Sequence, residues 1–143
     1  MSFAKNVNQF VLDVGEANDK IVRATVISLW GAIIQGSPVD TGRFRANWFP
    51  SDIRPSEEIS DKEDHSGLFA QARATQSVKT QIKSDGFTLT NNLPYSEVIE
   101  FGGYPSGPNT TGGYSKQAPH GVLRVNIKRF NQLIFENAAK FRV

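Results

Sequence analysis

Phe3, Val7, Phe10, Val14, Ala17, Ile21, Ala24 and Ser28 recur at alternating steps of three and four, with Val11, Val22, Val26, Leu29 and Ile33 on adjoining positions. No other feature constrains the fold as much, because this spacing lays a wide apolar stripe along one amphipathic helix. The pattern predicts a helix over residues 2 to 35. Its stop is Gly36-Ser37-Pro38: glycine relieves the left-handed position that ends many helices, and proline cannot continue the hydrogen-bond ladder. A chain of 143 residues builds one core rather than two. The stripe is therefore expected to cover one face of a sheet, with any surplus covering a neighbouring subunit.

After the helix stop, Pro38-Val39-Asp40-Thr41-Gly42 has the composition of a tight turn, and residues 43–49 place Phe44, Ala46 and Trp48 on one side of an alternating strand. Residues 50–66 hold two prolines and an acidic cluster and read as a surface loop. A second helix is expected from Leu68 to about Ile82, with Leu68, Ala72, Val78 and Ile82 as its apolar set. Ser84-Asp85-Gly86 turns the chain into a strand over residues 87–91, which Asn92-Leu93-Pro94 ends. Residues 95–101 form a short helix or an extended segment. Residues 102–119, rich in Gly, Pro, Ser, Thr and Asn, read as a long mobile loop. Val122, Val125, Phe130, Leu133, Ile134, Asn137 and Phe141 predict a closing helix over residues 122–141. The expected fold is a single α+β domain: a long N-terminal helix on a small, mainly antiparallel sheet, with a C-terminal helix and a long flexible loop.

With no cysteine, the chain has no disulfide framework, no Cys-based zinc site and no thiol nucleophile. No apolar run approaches the roughly 18 residues of a membrane span, and the segment MSFAKNVNQF lacks the features of a signal peptide. No membrane association is expected, and synthesis and assembly inside a cell are. The net charge is +2, unevenly spread: Glu57, Glu58, Asp61, Glu63 and Asp64 surround Lys62, whereas the last twenty residues carry Arg124, Lys128, Arg129, Lys140 and Arg142 against Glu136 alone. Such a field can guide DNA, although a solvated helix face with basic residues near its C-terminal end is the simpler reading.

Three stretches carry a resemblance. They are Ser37-Pro-Val-Asp-Thr-Gly-Arg-Phe-Arg-Ala-Asn-Trp48, then Asn92-Leu-Pro-Tyr-Ser-Glu-Val-Ile-Glu-Phe-Gly102, then Ala118-Pro-His-Gly121 ahead of a terminal helix. In this order they resemble the neck or tail-completion proteins of long-tailed phages, the group similar to minor tail protein Z. The resemblance implies a virion component without catalysis, cofactor or metal, made in the host cytoplasm. It would form a ring, as a hexamer, at the head–tail junction, between connector or head-completion proteins and the tail tube or its terminator, with a channel for the genome. A terminator that caps the tube is the alternative within that reading. The motif positions taken as assembly residues are Asp40, Thr41, Gly42, Arg45, Asn47, Trp48, Tyr95, Glu100, Phe101, Gly102, Pro119, His120 and Gly121.

Physical chemistry suggests roles for some of these positions. Asp40 is expected to accept backbone N–H bonds in the turn, and Gly42 to supply a permissive backbone. Arg45 is expected to pair with a carboxylate of its own or a neighbouring subunit. Trp48 belongs to the core or to an interface, and Phe101 anchors the base of the long loop inside the domain or on a neighbour. Two readings of other classes compete. One is a nucleic-acid-binding module that uses Arg124, Lys128, Arg129, Lys140 and Arg142. The other is a homodimeric aspartic protease built on Asp40-Thr41-Gly42, in which two such carboxylates share a proton. Arg43 would set a permanent positive charge beside that dyad, which argues against it. His65 with Asp61, Glu63 and Asp64 has the ligand types of a metal site, but reads as a solvated acidic loop. His120 reads as structural.

Overall fold

A computed structural model of the chain describes residues 3–83 and 86–141, and in the first helix the side chains of Glu16 and of residues 18 onward. The mixed class expected from the sequence holds: about half of the residues are helical, and the described residues include two small antiparallel sheets. The first helix, α1, runs Phe3–Gly36. At a rise of about 1.5 Å per residue its 34 residues span roughly 50 Å.

Of the expected stripe one flank is buried, with Ile33 in the core and Val26 and Leu29 packed against it, while the central row is not. Trp30, Ile33, Ile34, Thr25 and Ser37 are buried, while Ser28 is exposed. Each helical residue turns the side chain by about 100°, so Ser28 lies roughly 160° around the axis from Trp30. The core face therefore follows Val26, Trp30, Ile33 and Ser37 rather than Ile21, Ala24 and Ser28. The earlier part of the stripe, Phe3 to Val14 and Ala17, lies outside the described side chains. The stop is also made differently. Gly36 does not adopt positive φ. Instead the Ser37 hydroxyl donates to the Ile33 carbonyl (2.7 Å), and Arg45 reaches back to the carbonyls of Gln35 (2.8 Å) and Ser37 (3.1 Å), which satisfies orphan acceptors at the helix end.

Residues 43–49 were expected as a strand. Their first part is a helical turn, α2 (Arg43–Ala46), followed by a short strand, β1 (Phe49–Ser51). The Gly42 carbonyl accepts the Ala46 N–H at 3.0 Å and starts the turn. Phe44 and Trp48, four apart, then meet edge to face with ring centroids 5.5 Å apart. Phe44, Ala46 and Trp48 are all buried, but not as one side of a strand: Phe44 and Trp48 meet at i,i+4 spacing and Ala46 lies in the turn between them. β1 pairs antiparallel with β2 (Thr88–Thr90), Phe49 opposite Thr90 and Ser51 opposite Thr88. The Ser84-Asp85 part of the turn before it lies outside the described residues.

α3 (Leu68–Gln76) continues into a π-helical turn, Ser77–Gln81. Its buried face is Ala70, Ala74 and Val78, reached at steps of four, and Leu68 and Ala72 from the expected set are exposed. The small alanines let α3 lie close against α1, where Gln71 donates to the Gly31 carbonyl. At the far end the Arg23 guanidinium donates to the carbonyls of Val78 and Ile82. The short helix α4 spans Ser96–Phe101.

The expected closing helix is two helices, α5 (Leu123–Ile127) and α6 (Phe130–Lys140). The break lets α5 stay with α4 while α6 turns back along α1, where Asn137 donates to Leu133 in its own helix and to the Thr25 hydroxyl of α1. Val125 and Phe130 are consequently exposed, and Leu133 and Asn137 are buried. Most of the cover over α1 comes from α3, α5 and α6 rather than from a sheet. Two-stranded ribbons of two or three residues are too narrow to cover a helix face.

Residues 102–119 contain a hairpin of β3 (Thr110–Thr111) and β4 (Tyr114–Ser115). The Gly113 carbonyl accepts the N–H groups of both Gly103 and Tyr104 at 2.9 Å, and Asn109 accepts from Lys116 at 3.0 Å. Composition concealed these ties, because the loop is closed by backbone bonds and by Tyr104 and Ala118 packing inward rather than by an apolar run. The Gly103 and Tyr104 amides are expected to exchange at least tenfold more slowly than in an unstructured peptide. Exchange at the free-peptide rate in the isolated protein would show that this segment orders only on a partner.

Candidate functional site

The three stretches that carry the family resemblance meet at the C-terminal end of α1. Ser37 is the hinge of the first. Its hydroxyl accepts the Trp48 indole N–H at 2.8 Å while donating to Ile33, so a buried donor that needs a partner has one. Asn47, fully buried, donates to the carbonyls of Arg43 (2.7 Å) and Ser60 (2.9 Å) and accepts the Ser60 N–H (2.8 Å), which pins the acidic loop. Arg45 pairs with three carbonyls, those of Gln35, Ser37 and His65, and with no carboxylate among the described residues. A planar fork of donors suits several carbonyls at a helix end.

Gly42 has φ +94 and a backbone packed on the 64–65 segment: a Cβ there would lie 2.6 Å from the His65 nitrogen. Its carbonyl also accepts the Asp64 N–H at 3.0 Å. Among the described residues it is the Thr41 hydroxyl, not Asp40, that accepts the Arg43 N–H (3.3 Å). Asp40 is exposed beside a depression of about 540 Å³ that also holds Arg43, Phe44, Tyr95 and Tyr104. Tyr95 packs on Phe44 with centroids 6.1 Å apart, and burial pushes its hydroxyl pKa up.

Glu100 joins the second stretch to the third. Its carboxylate, buried at the start of α5, accepts the N–H groups of Val122 (2.7 Å), Leu123 (2.8 Å) and Arg124 (2.9 Å) and the Arg124 Nε–H (3.1 Å). Burial opposes ionisation, but these donors outweigh it and hold the carboxyl below its ordinary pKa. Gly121, at φ +83, permits the approach: a Cβ would sit 2.7 Å from the Glu100 carbonyl oxygen and 2.9 Å from Oε2. Pro119 bridges to Gly121, and His120 stands exposed between them. Phe101 is 65% exposed, with the Arg124 guanidinium 4.9 Å from its ring centre, so it does not anchor the loop inside the domain. Gly102, at φ +84, places its backbone against the Tyr114 ring. An apolar groove of about 220 Å³ runs between Phe44, Trp48, Leu89, Ile99, Phe101 and Leu123.

Three ties escaped the reading of the sequence. Gln117 exchanges two 2.8 Å bonds with the backbone of Val39 and so fastens the first stretch to the chain just before the third. Asp64, counted as part of a solvated loop, is buried and accepts the N–H groups of Gly67 (3.1 Å) and Ala70 (2.8 Å) at the start of α3. An aspartate a few residues before an apolar run was its legible signal. Arg73 donates to the carbonyls of Ala46 (2.8 Å) and Trp48 (2.7 Å) and stacks over Phe49.

Of the basic set, Arg124 is engaged by Glu100, Lys128, Arg129 and Lys140 are exposed, and Arg142 lies outside the described residues. Among the described residues His65 and its acidic neighbours do not gather as a metal-binding group. Arg45, Asn47, Trp48, Glu100 and Gly121 thus act as internal ties between loop, α5 and the end of α1, while Asp40, Phe101 and His120 stand exposed. Compared with known protein families, with curated proteins and with solved structures, the chain matches none of them.

Proposed function

We propose that this chain is a structural part of a tailed-phage particle, a neck or tail-completion protein that assembles as a ring where head meets tail. The observation that carries the reading is the convergence of its three motif stretches. Apart in sequence, the first and second meet through Phe44 on Tyr95 and the second and third through Gly121 packed on Glu100, while Gln117, just before the third, bonds to Val39 of the first. A motif set that stabilises one rigid corner suits a part whose work is to hold a shape in an assembly. Rings are built from such parts, because a fixed angle between copies is what closes a cyclic interface.

Cryo-electron microscopy of the particle that encodes the chain tests this directly. The expected result is density for the chain as a closed ring at the head–tail junction. A particle in which it is absent overturns the reading, and a ring found on the distal side of the neck, capping the tube, assigns it to the terminator instead.

A further inference from the structure

We infer that copies of this chain dock head to tail, the acidic turn around Ile59 of one copy seating in the basic-rimmed depression over α5 of the next. The inference deepens the ring reading and rests on it.

The turn is a prepared knob. Ile59 is 54% exposed, and Glu57, Glu58 and Glu63 are exposed around it. The turn is fastened on both sides: Asn92 donates to the Ser56 carbonyl at 2.7 Å, and Asn47 exchanges two bonds with Ser60. Residues 57–59 are thereby presented outward in a fixed form, which lowers the entropy lost on docking. Asp61 is engaged by Arg43 at 3.1 Å, whereas Glu57 and Glu63 form no ion pair among the described residues.

The depression has the complementary character. About 500 Å³ in volume, it is lined by Tyr114, His120, Arg124, Val125, Ile127 and Lys128. Val125 and Ile127, 42% and 56% exposed, supply apolar surface. Arg124 is a cation held in place by Glu100, and Lys128, followed by exposed Arg129, forms no ion pair among the described residues. An apolar knob flanked by Glu57, Glu58 and Glu63, with Lys62 among them, thus matches an apolar pocket whose unpaired cation among the described residues is Lys128, with Arg129 beside it in sequence, and sign complementarity of this kind sets register and disfavours like-charged pairings.

Within one copy the turn is anchored to Asn47 and Asn92 and the depression to Glu100, and among the described residues no ion pair links the two. Where the same partner does not return the contact, two different patches make a heterologous interface, which repeats from copy to copy and closes as a ring or runs on as a filament.

A charge swap on the full-length protein tests the inference. One variant carries Glu57→Lys, Glu58→Lys and Glu63→Lys; the other carries Lys128→Glu and Arg129→Glu. All five positions are exposed, so both variants are expected to keep the wild-type circular dichroism. By sedimentation, the wild type is expected to self-associate at low salt and to weaken at least tenfold at about 1 M salt, where the Debye length falls to about 3 Å. Each variant alone is expected to be monomeric, and an equimolar mixture to regain association, since each then offers the sign the other lacks. In wild-type protein, carbodiimide is expected to couple Glu57, Glu58 or Glu63 of one copy to Lys128 of another, resolved by mixing isotope-labelled and unlabelled chains.

A wild type that stays monomeric, a variant that associates alone, a mixture that does not recover, or cross-links confined to single chains overturns the docking. Loss of duplex-DNA binding in the second variant, with the wild type monomeric, assigns the basic face to a polyanion instead and also overturns it. A ring in the particle with unaltered association of the variants removes this interface and leaves the ring reading standing. Charge-swap behaviour as expected, from a protein missing from the particle, does the reverse.

Discussion

Replacing Glu100 by alanine is expected to cost the fold about 3 kcal/mol, because each buried donor left without an acceptor costs about 1–3 kcal/mol and this carboxylate serves three backbone N–H groups at the start of α5. Water reaches part of the site, since the Arg124 side chain is half exposed, which keeps the cost below three full penalties. Against a total of about 5–15 kcal/mol for a domain, the loss moves the urea midpoint visibly. Glu100→Gln is expected to cost less, since an amide oxygen still accepts, and Arg124→Ala less again.

The charge of Glu100 adds a pH signature whose sign follows from its environment. The folded state holds this carboxyl below its ordinary pKa, so it binds a proton less readily than the unfolded chain does. The stabilisation is therefore complete above the unfolded value of about 4.3 and is lost as pH falls through the lower folded value. Wild-type stability is expected to fall more steeply than that of Glu100→Gln as pH drops from about 5 toward 3, with the two curves converging at the acid end. Parallel curves throughout that range would mean that the carboxylate carries no more than a neutral acceptor does.

Gly42→Ala is the second large effect expected, again about 3 kcal/mol. A non-glycine residue at a strained positive φ costs about 1–3 kcal/mol, and forcing a methyl into a filled space costs about 1–3 kcal/mol more. Both apply, since φ is +94 and the new Cβ would meet the backbone of Asp64 and His65 at 2.6 to 2.9 Å. Backbone on both sides cannot swing away as a side chain can. Gly112 is the control: its φ is +56 and no atom lies within 4 Å of where an added methyl would sit, so Gly112→Ala is expected to cost only about 1 kcal/mol. If thermal unfolding shows equal losses for the two, the close packing of the Asp40-Thr41-Gly42 turn on the acidic loop is not what the glycine provides.

The motif residues show how much of the site was legible. Gly42, Gly102 and Gly121 stood out as glycines, and each is at positive φ, but what presses on them is 21 or more residues away for Gly42 and Gly121 and 12 away for Gly102. Trp48 was legible as a core residue. Arg45 was legible as a cation that needs partners but not as a cap on α1, because carbonyls carry no mark in a sequence. Asp64 was counted in the acidic surface loop and Glu100 as an assembly position, and both are buried acceptors at helix starts. Nothing local distinguishes such a carboxylate from a solvated one when its donors arrive from a distant segment.

By itself the sequence determined what depends on neighbours along the chain: a long first helix and its end near Gly36, the antiparallel strand over residues 88–90, the outward acidic loop, and an apolar last segment. Those follow from period, turn chemistry and propensity, which act over a few residues. Tertiary structure alone decided which face of α1 is buried, that residues 43–46 coil rather than extend, that the last segment breaks into two helices, and that Glu100 seats on the start of α5. In each case the local alternatives are close in free energy, and contacts between segments far apart in sequence outweigh the difference.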